Sequence, residues 1–499
     1  MLPHTYRAHP VTQSKGEDCS VALGYFSDAV PHTKRDSFFC FYWSNLLTHT
    51  RYLICVVRKS DLCKCGCKGF CTLGTVSKII AWSFNALATG EYPAFDHNGL
   101  PFQDGLRAAQ RGTLIAAGVC GALCEMRADL LEFVGACGFK TWSNADHPCF
   151  CCSCERGDLF EFRQAKSWLV KDGASYDEMV RRSCIKVHVV SSSQLAELIG
   201  ALCFDERYAG LALADGFPAL GLPVGARLLQ DGPVIDVHRL EHLAAPCSLS
   251  FFDSKGDHGL NLIFPLFQIV GFGIDSLALD VMHVLDLGVT QYFVALVFAR
   301  LIVNDFAGSG KPIVFITRAE NLRHLRRRMW AYYKTQKRNR ATMSQIRKLT
   351  LPMLGNLRQP RLRAKAAETR NLVPLCVSLC QESFQCLGKN KGLIKLCAES
   401  LRDVYEAMDQ EPRVMSQEGL NKLRSRMFRF LQFWKASGGH LVYKHHCAWH
   451  LVQRAGAQGN PRLYWTYADE RLNRTMGTVA KSLHGGPTFY KTFLEKVLE

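Results

Sequence analysis

The sequence predicts an α/β fold, a mixed sheet interrupted by a large α-helical insertion and tied by a structural metal site. Three observations predict it. First, three short apolar runs each stop at an acidic side chain: Val21-Ala-Leu-Gly-Tyr-Phe-Ser-Asp28, Gly121-Ala-Leu-Cys-Glu-Met-Arg-Ala-Asp129 and Leu463-Tyr-Trp-Thr-Tyr-Ala-Asp-Glu470. Second, a long basic segment separates the first two runs from the third. Third, a C-x-x-C knuckle precedes that segment and a pair of histidines follows it.

Residues 1–20 are polar and are expected to be a frayed tail. Residues 21–59 read as three strands, Val21–Ser27, Ser37–Asn45 and Tyr52–Arg58, because β-branched and aromatic residues run between the turn-forming stretches Pro31–Asp36 and Leu47–Arg51. Residues 72–90 have helical spacing, with Ile79, Ile80, Trp82, Phe84 and Leu87 around an apolar face. A loop over Gly90–Gly105 and a helix over Gln110–Ala117 then lead to a fourth strand ending at Asp129. This β-β-β-α-β order resembles the first half of a ribonuclease H-like sheet, in which strands one and four lie side by side, and that resemblance implies that Asp28 and Asp129 meet at one edge of the sheet. Taken singly, each acid could merely close a strand in a turn. The order of all three, with Glu470 opening a late helix, points instead to a site for two divalent cations. Such ions take oxygen ligands, and their mutual repulsion needs several carboxylates to offset it.

Residues 155–250 are poor in motifs, and Leu211–Pro218 and the glycines from Gly221 to Gly225 read as loops. No G-x-x-x-x-G-K-[ST] occurs, so ATP-driven chemistry is not expected. The expected organisation is a tail over 1–20, the first half of the sheet domain with its cysteine knuckle over 21–160, and a connecting region over 161–290. A basic helical insertion over 291–440 and a closing segment with the histidine pair and last helix over 441–499 complete it.

Apolar content of 48% supports a packed interior, and a net charge of +17 points to a polyanion partner. Met1-Leu-Pro-His-Thr-Tyr-Arg7 lacks the apolar core of a signal peptide. The longest apolar run, Tyr292–Val303, is short for a bilayer and contains Arg300. A soluble, intracellular chain without a membrane partner is expected.

The 22 cysteines of such a chain are expected as thiols rather than disulfides. Two clusters stand out: Cys63, Cys65, Cys67 and Cys71, and the overlapping pairs Cys149/Cys152 and Cys151/Cys154. A C-x-x-C turn places two thiolates on adjacent corners of a zinc tetrahedron. The remaining two ligands are expected from Tyr443-Lys-His-His446-Cys-Ala-Trp-His450, where His446 and His450 lie one helical turn apart, with His445 as the alternative first member. Free buried thiols are the plainer alternative for Cys149/Cys152, and a tight glycine loop for the first cluster.

Leu277-Ala-Leu-Asp280-Val-Met-His283 places an acid and a histidine on one side of a helix. From spacing alone this is a helix-capping Asp followed by a core histidine. Residues 318–370 hold sixteen Lys/Arg against Glu320 and Glu368 only. Arg326, Arg327, Arg328, Lys337, Arg338, Arg347 and Lys348 are the candidate nucleic-acid contacts, interleaved with Trp330, Tyr332 and Tyr333. A solvated face is the alternative, but so dense an excess repels itself without an anionic partner.

Taken in order, Asp28, Asp129, Cys149-x-x-Cys152, Asp280-Val-Met-His283, His446/His450 and Tyr467-Ala-Asp-Glu470 resemble the ribonuclease H-like core of eukaryotic cut-and-paste DNA transposases. The likeness is to the CACTA type with its Plavaka and KDZ-like relatives, and more distantly to the catalytic subunit of the V(D)J recombinase. The stretches Asp61–Cys71 and Phe139–Ser143 also resemble sequences abundant in dinoflagellate genomes. The resemblance spans about residues 20–490 and rests on motif order, since each motif is short. It implies a nuclear DDE transposase in which Asp28, Asp129 and Glu470 hold Mg²⁺ (or Mn²⁺), assisted by Asp280 and His283. Zn²⁺ would sit on Cys149, Cys152, His446 and His450, with double-stranded DNA as partner and a homo-oligomer left open. The chain departs from the pattern where Ala29 follows Asp28 and where Ala128 and Leu130 flank Asp129. Only 27 residues precede Asp28, so no separate N-terminal DNA-binding domain is expected. These departures keep two alternatives open, a truncated or inactive copy and a zinc-stabilised, non-catalytic DNA-binding protein derived from a transposase. A zinc hydrolase using Asp280 and His283 lacks a third-ligand motif.

Overall fold

A computed structural model describes residues 2–162 apart from 32, 34–35, 65–68, 104, 138–141, 144–147 and 153; residues 186–187 and 260–261; and residues 265–498 apart from 309–314, 339–342 and 484–487. The loops expected at Leu211–Pro218 and Gly221–Gly225, and the thiols of Cys65, Cys67 and Cys71, lie outside what it describes. The chain divides into two compact units, one built mainly from residues 5–156 and 468–499, the other mainly from 278–467.

The first unit is built on a five-stranded mixed sheet. Strands β1 (Ser20–Pro31), β2 (Ser37–Asn45), β3 (Arg51–Arg58) and β4 (Cys120–Ala128) are followed by a two-residue pair, β5 (Lys186–Val187) and β6 (Leu260–Asn261), and by β7 (Leu277–Leu279). The main sheet has the order β3-β2-β1-β4-β7. Strand β1 is antiparallel to β2 and parallel to β4, with a bulge at Leu23/Gly24. Central β1 is buried along nearly its whole length, whereas β3 is only half covered, as suits a strand at the sheet edge. Helix α1 (Phe70–Thr89) lies between β3 and β4 in sequence, and α2 (Leu130–Cys137) starts directly after β4.

Three expectations change in detail. Strand β1 does not stop at Asp28 but runs to Pro31, because the hairpin with β2 continues through Asp28↔Cys40 to Pro31↔Ser37 after the pairing with β4 has ended at Phe26↔Arg127. The helix placed at Gln110–Ala117 lies earlier, at Gly105–Gln110, and Gly112 at φ +71° turns the chain out of it. The described part of the expected tail, residues 2–20, is not frayed: it holds short helices His4–Arg7 and Pro10–Lys15. Tyr6 and Val11 are buried there, the Tyr6 hydroxyl meets Ser20, and His9 caps the second helix through Val11 N. Composition alone misses them because few apolar residues do the anchoring.

The helical unit comprises α3 (Thr290–Val303), α4 (Phe315–Arg338), α5 (Val373–Glu382), α6 (Lys391–Gln410), α7 (Gln417–Ala436) and α8 (Tyr443–Gln458). Phe293 packs edge-on against Phe430 and Trp434, and the ring of His445 stacks on Trp434. A π-helical stretch, Met282–Val289, runs directly into α3. The resulting helix, Met282–Val303, has 22 residues and a mean hydropathy of 1.6, so it is longer than the apolar run the sequence suggests. By length and composition it could cross a membrane, but its apolar window is 72% buried inside the protein, as in the core helix of a soluble protein.

Helices α9 (Tyr467–Lys481) and α10 (Phe489–Leu498) close the sheet unit. Met476 and Ala480 of α9 and Phe489 and Phe493 of α10 form one core with Phe26, Val30, Phe38 and Tyr42. Gly477 permits the close approach, since a Cβ there would lie 3.3 Å from Val30 Cγ1.

Candidate functional site

Side chains alternate along a strand, so Asp28 shares a face with Phe26 and Val30, which pack in the core with α9. The parallel pairing of β1 and β4 runs out two residues before both Asp28 and Asp129. There Asp129 caps α2 by accepting from Glu132 N at 2.6 Å. Glu470 and Asn473 lie one turn apart on α9, and Asn473 Nδ2 donates to Asp28 Oδ2 at 2.8 Å. Burial first, and then the charges of Glu470, Asp129 and Glu132, together push the Asp28 carboxyl up to about 7. The charges of Asp129 and Glu470 thus reach Asp28, although Asp28 and Glu470 lie near opposite ends of the chain. Among the described residues, however, these acids do not bring three ligand atoms as close together as Cys149, Cys152, His446 and His450 do.

Glu132 belongs to the same cluster and was not anticipated from sequence. It accepts from Ser27 Oγ at 2.8 Å. Burial pushes it up to about 7 against the lowering effect of that hydroxyl, and the charge of Asp129 adds to the rise. The available signal was spacing: Asp129-x-x-Glu132 and Glu470-x-x-Asn473 each put two oxygen-bearing side chains on one helical face. Asp469, the neighbour of Glu470, is taken up elsewhere. It is 1% exposed and accepts from Arg51 Nε at 2.6 Å and from Arg127 Nη2 at 3.3 Å.

A second cluster is made by Cys149, Cys152, His446 and His450. All four are buried, and one ligand atom from each lies within 4.8 Å of the others, so the group could hold a metal such as zinc. The donor chemistry fits. Cys149 Sγ accepts from Cys151 N at 3.3 Å, which shapes the knuckle. His446 Nδ1 donates to the Leu159 carbonyl at 3.0 Å, which fixes the tautomer and turns Nε2 towards His450 Nε2, 3.0 Å away. Burial and the neighbouring Cys149 and Cys154 thiols push the Cys152 thiol far up. A dication would reverse that, because a coordinating thiol is deprotonated. Neither Cys151 nor Cys154 belongs to the four, and His445 is instead held against Trp434 with Nδ1 on Val442.

Asp280 caps the helix that follows it, accepting from Met282 N and His283 N. It also accepts from Thr466 N at 2.8 Å, Thr466 Oγ1 at 2.7 Å and His283 Nδ1 at 2.6 Å. Burial would raise its carboxyl, but His283 and Thr466 outweigh that and hold it below the usual carboxylate range. Both oxygens are therefore engaged within the protein, as the helix-capping alternative anticipates.

The basic residues of α4 fall into two groups. Arg326 Nε donates to the Leu349 carbonyl and Arg328 pairs with Glu382. Arg327, Lys337 and Arg338 are exposed, as are Arg347 and Lys348 beyond the helix. Tyr333 is buried and the Tyr332 hydroxyl donates to the Asn371 carbonyl, whereas Trp330 is 46% exposed.

No protein-family model matches the chain, and no curated protein does.

Proposed function

We propose that the chain is a DDE-type DNA transposase with a ribonuclease H-like catalytic domain, acting on double-stranded DNA in the nucleus. What supports this reading is that the charges of Glu470 and Asp129 raise the Asp28 carboxyl, and that Asn473, one turn after Glu470, holds Asp28 Oδ2 at 2.8 Å. Gathering like charges is costly, and hard divalent cations are the partners such oxygens suit. Two Mg²⁺ (or Mn²⁺) ions held by these three acids would activate a water or a 3′-hydroxyl and steady the leaving oxygen of an in-line phosphoryl displacement.

The chain's own residues divide the work. Asp28 is presented by β1 beyond the end of its pairing with β4, Asp129 by the start of α2, and Glu470 by the first turn of α9. Asp469, clamped by Arg51 and Arg127, fixes that first turn. Asp280 and His283 hold Thr466 and act by position rather than at the reacting phosphate. Zn²⁺ on Cys149, Cys152, His446 and His450 would be structural, since four protein ligands leave no open position. Exposed Arg327, Lys337, Arg338, Arg347 and Lys348 would contact the DNA backbone.

One observation favours the non-catalytic reading: Asp28 spends both oxygens within the protein, on Ala29 N and on Asn473 Nδ2, and Asp129 spends one on Glu132 N. A strand-cleavage assay on a labelled terminal repeat with Mg²⁺ or Mn²⁺ separates the two. The transposase reading expects nicking that Asp28→Asn and Asp129→Asn abolish. Tight, salt-sensitive binding without cleavage would replace it with the DNA-binding relic.

A further inference from the structure

Asn473 sits one helical turn after Glu470 and is 4% exposed. Its Nδ2 holds Asp28 Oδ2 at 2.8 Å, and its Oδ1 is buried without a hydrogen-bond partner among the described residues. A buried amide oxygen left unsatisfied is costly, so its retention beside an acid cluster needs a reason. An ionised carboxylate cannot supply one, because it only accepts, and the raised carboxyls nearby are already engaged, Asp28 with Ala29 N and Asn473 Nδ2 and Glu132 with Ser27 Oγ. A divalent cation can, because hard cations take amide carbonyl oxygens as well as carboxylates. An amide also adds a ligand without adding charge, where Asp28, Asp129, Glu132 and Glu470 already crowd one another.

We propose that Asn473 Oδ1 is a ligand of a divalent cation shared with Asp28 and Glu470, while Nδ2 fixes the Asp28 carboxylate. This rests on reading the acids as a cation site and adds a neutral oxygen to it.

The test is Mn²⁺ titration by calorimetry, with thermal melts in parallel, on the full zinc-loaded chain and its variants Asn473→Ala, Asn473→Asp and Glu470→Gln. Asn473→Ala should weaken Mn²⁺ binding by about tenfold or more. Asn473→Asp, nearly isosteric, should melt lower without Mn²⁺ and recover with it, because a further carboxylate needs the cation more. Equal Mn²⁺ affinity in wild type, Asn473→Ala and Asn473→Asp, with loss in Glu470→Gln, would overturn the role of Asn473 and leave the acid site standing. Mn²⁺ binding unchanged by Glu470→Gln, or no binding by the wild type, would overturn both. Should Asn473→Ala fail to fold, the Asn473→Asp melts decide: a lower melting point that Mn²⁺ does not recover overturns the proposal.

Discussion

Ser27 Oγ donates to Glu132 Oε1 at 2.8 Å, joining the residue before the first acid to the residue three beyond the second. Glu132 thereby becomes part of the acid cluster's frame, and its titration gives a first prediction. Its folded pKa is raised from 4.5 to about 7, so between those values the folded state binds more protons than the unfolded chain. Stability is therefore lost as pH rises through that window. Glu132→Gln keeps an acceptor for Ser27 and removes the titration. Melting curves recorded across that window without Mg²⁺ or Mn²⁺ should fall less steeply with pH for the variant. Parallel curves would show that Glu132 does not titrate there.

Asp286 is fully buried and accepts from the hydroxyls of Tyr405 at 2.5 Å and Tyr467 at 2.7 Å. Tyr405→Phe removes one donor and leaves the carboxyl short of a partner. Unfolding by denaturant should show a loss of about 1–3 kcal/mol. No change in midpoint would mean that water replaces the hydroxyl.

Metal analysis of the reduced chain should find about one zinc per chain, and Cys152→Ser or His450→Ala should remove it. The cysteine pair and the histidine pair are far apart in sequence, so loss of the ion should lower the melting temperature and not merely a local signal. A zinc-free chain with the wild-type melting point would favour buried thiols.

Replacing exposed Arg327, Lys337 and Arg338 by Gln should weaken DNA binding almost uniformly across sequences, reducing the log–log salt slope by about 0.9 per lost phosphate contact. The same change at Arg326 and Arg328 should cost stability, because these two are tied to Leu349 and Glu382. Reversal of these outcomes would place the DNA surface elsewhere.

Much of this was legible in the sequence where the signal is local. Strands β2 and β3 follow from runs of aromatic and β-branched residues between turns, and the Cys149/Cys152 and His446/His450 spacings pick out residues that do gather. What was not legible depends on long-range partners. Asp28 lies inside β1 because β2 continues the ladder past the end of β4. Arg326 and Arg327 are neighbours in one basic run, yet only tertiary contacts decide which is bound inward. Spacing alone reads Asp280 as a helix cap, but that Thr466, 186 positions away, also occupies it is visible only in the fold.

The most direct test of the central claim compares Glu470→Gln with Asp469→Asn in Mn²⁺-dependent strand cleavage and in DNA binding. Glu470→Gln should lower cleavage by more than about a hundredfold, beyond the loss typical of residues that only orient ligands, while DNA affinity holds. Asp469→Asn, which weakens the clamp of Arg51 and Arg127, should lower the melting temperature and reduce cleavage less. Cleavage unchanged by Glu470→Gln would contradict the account, because the third acid would then lie elsewhere.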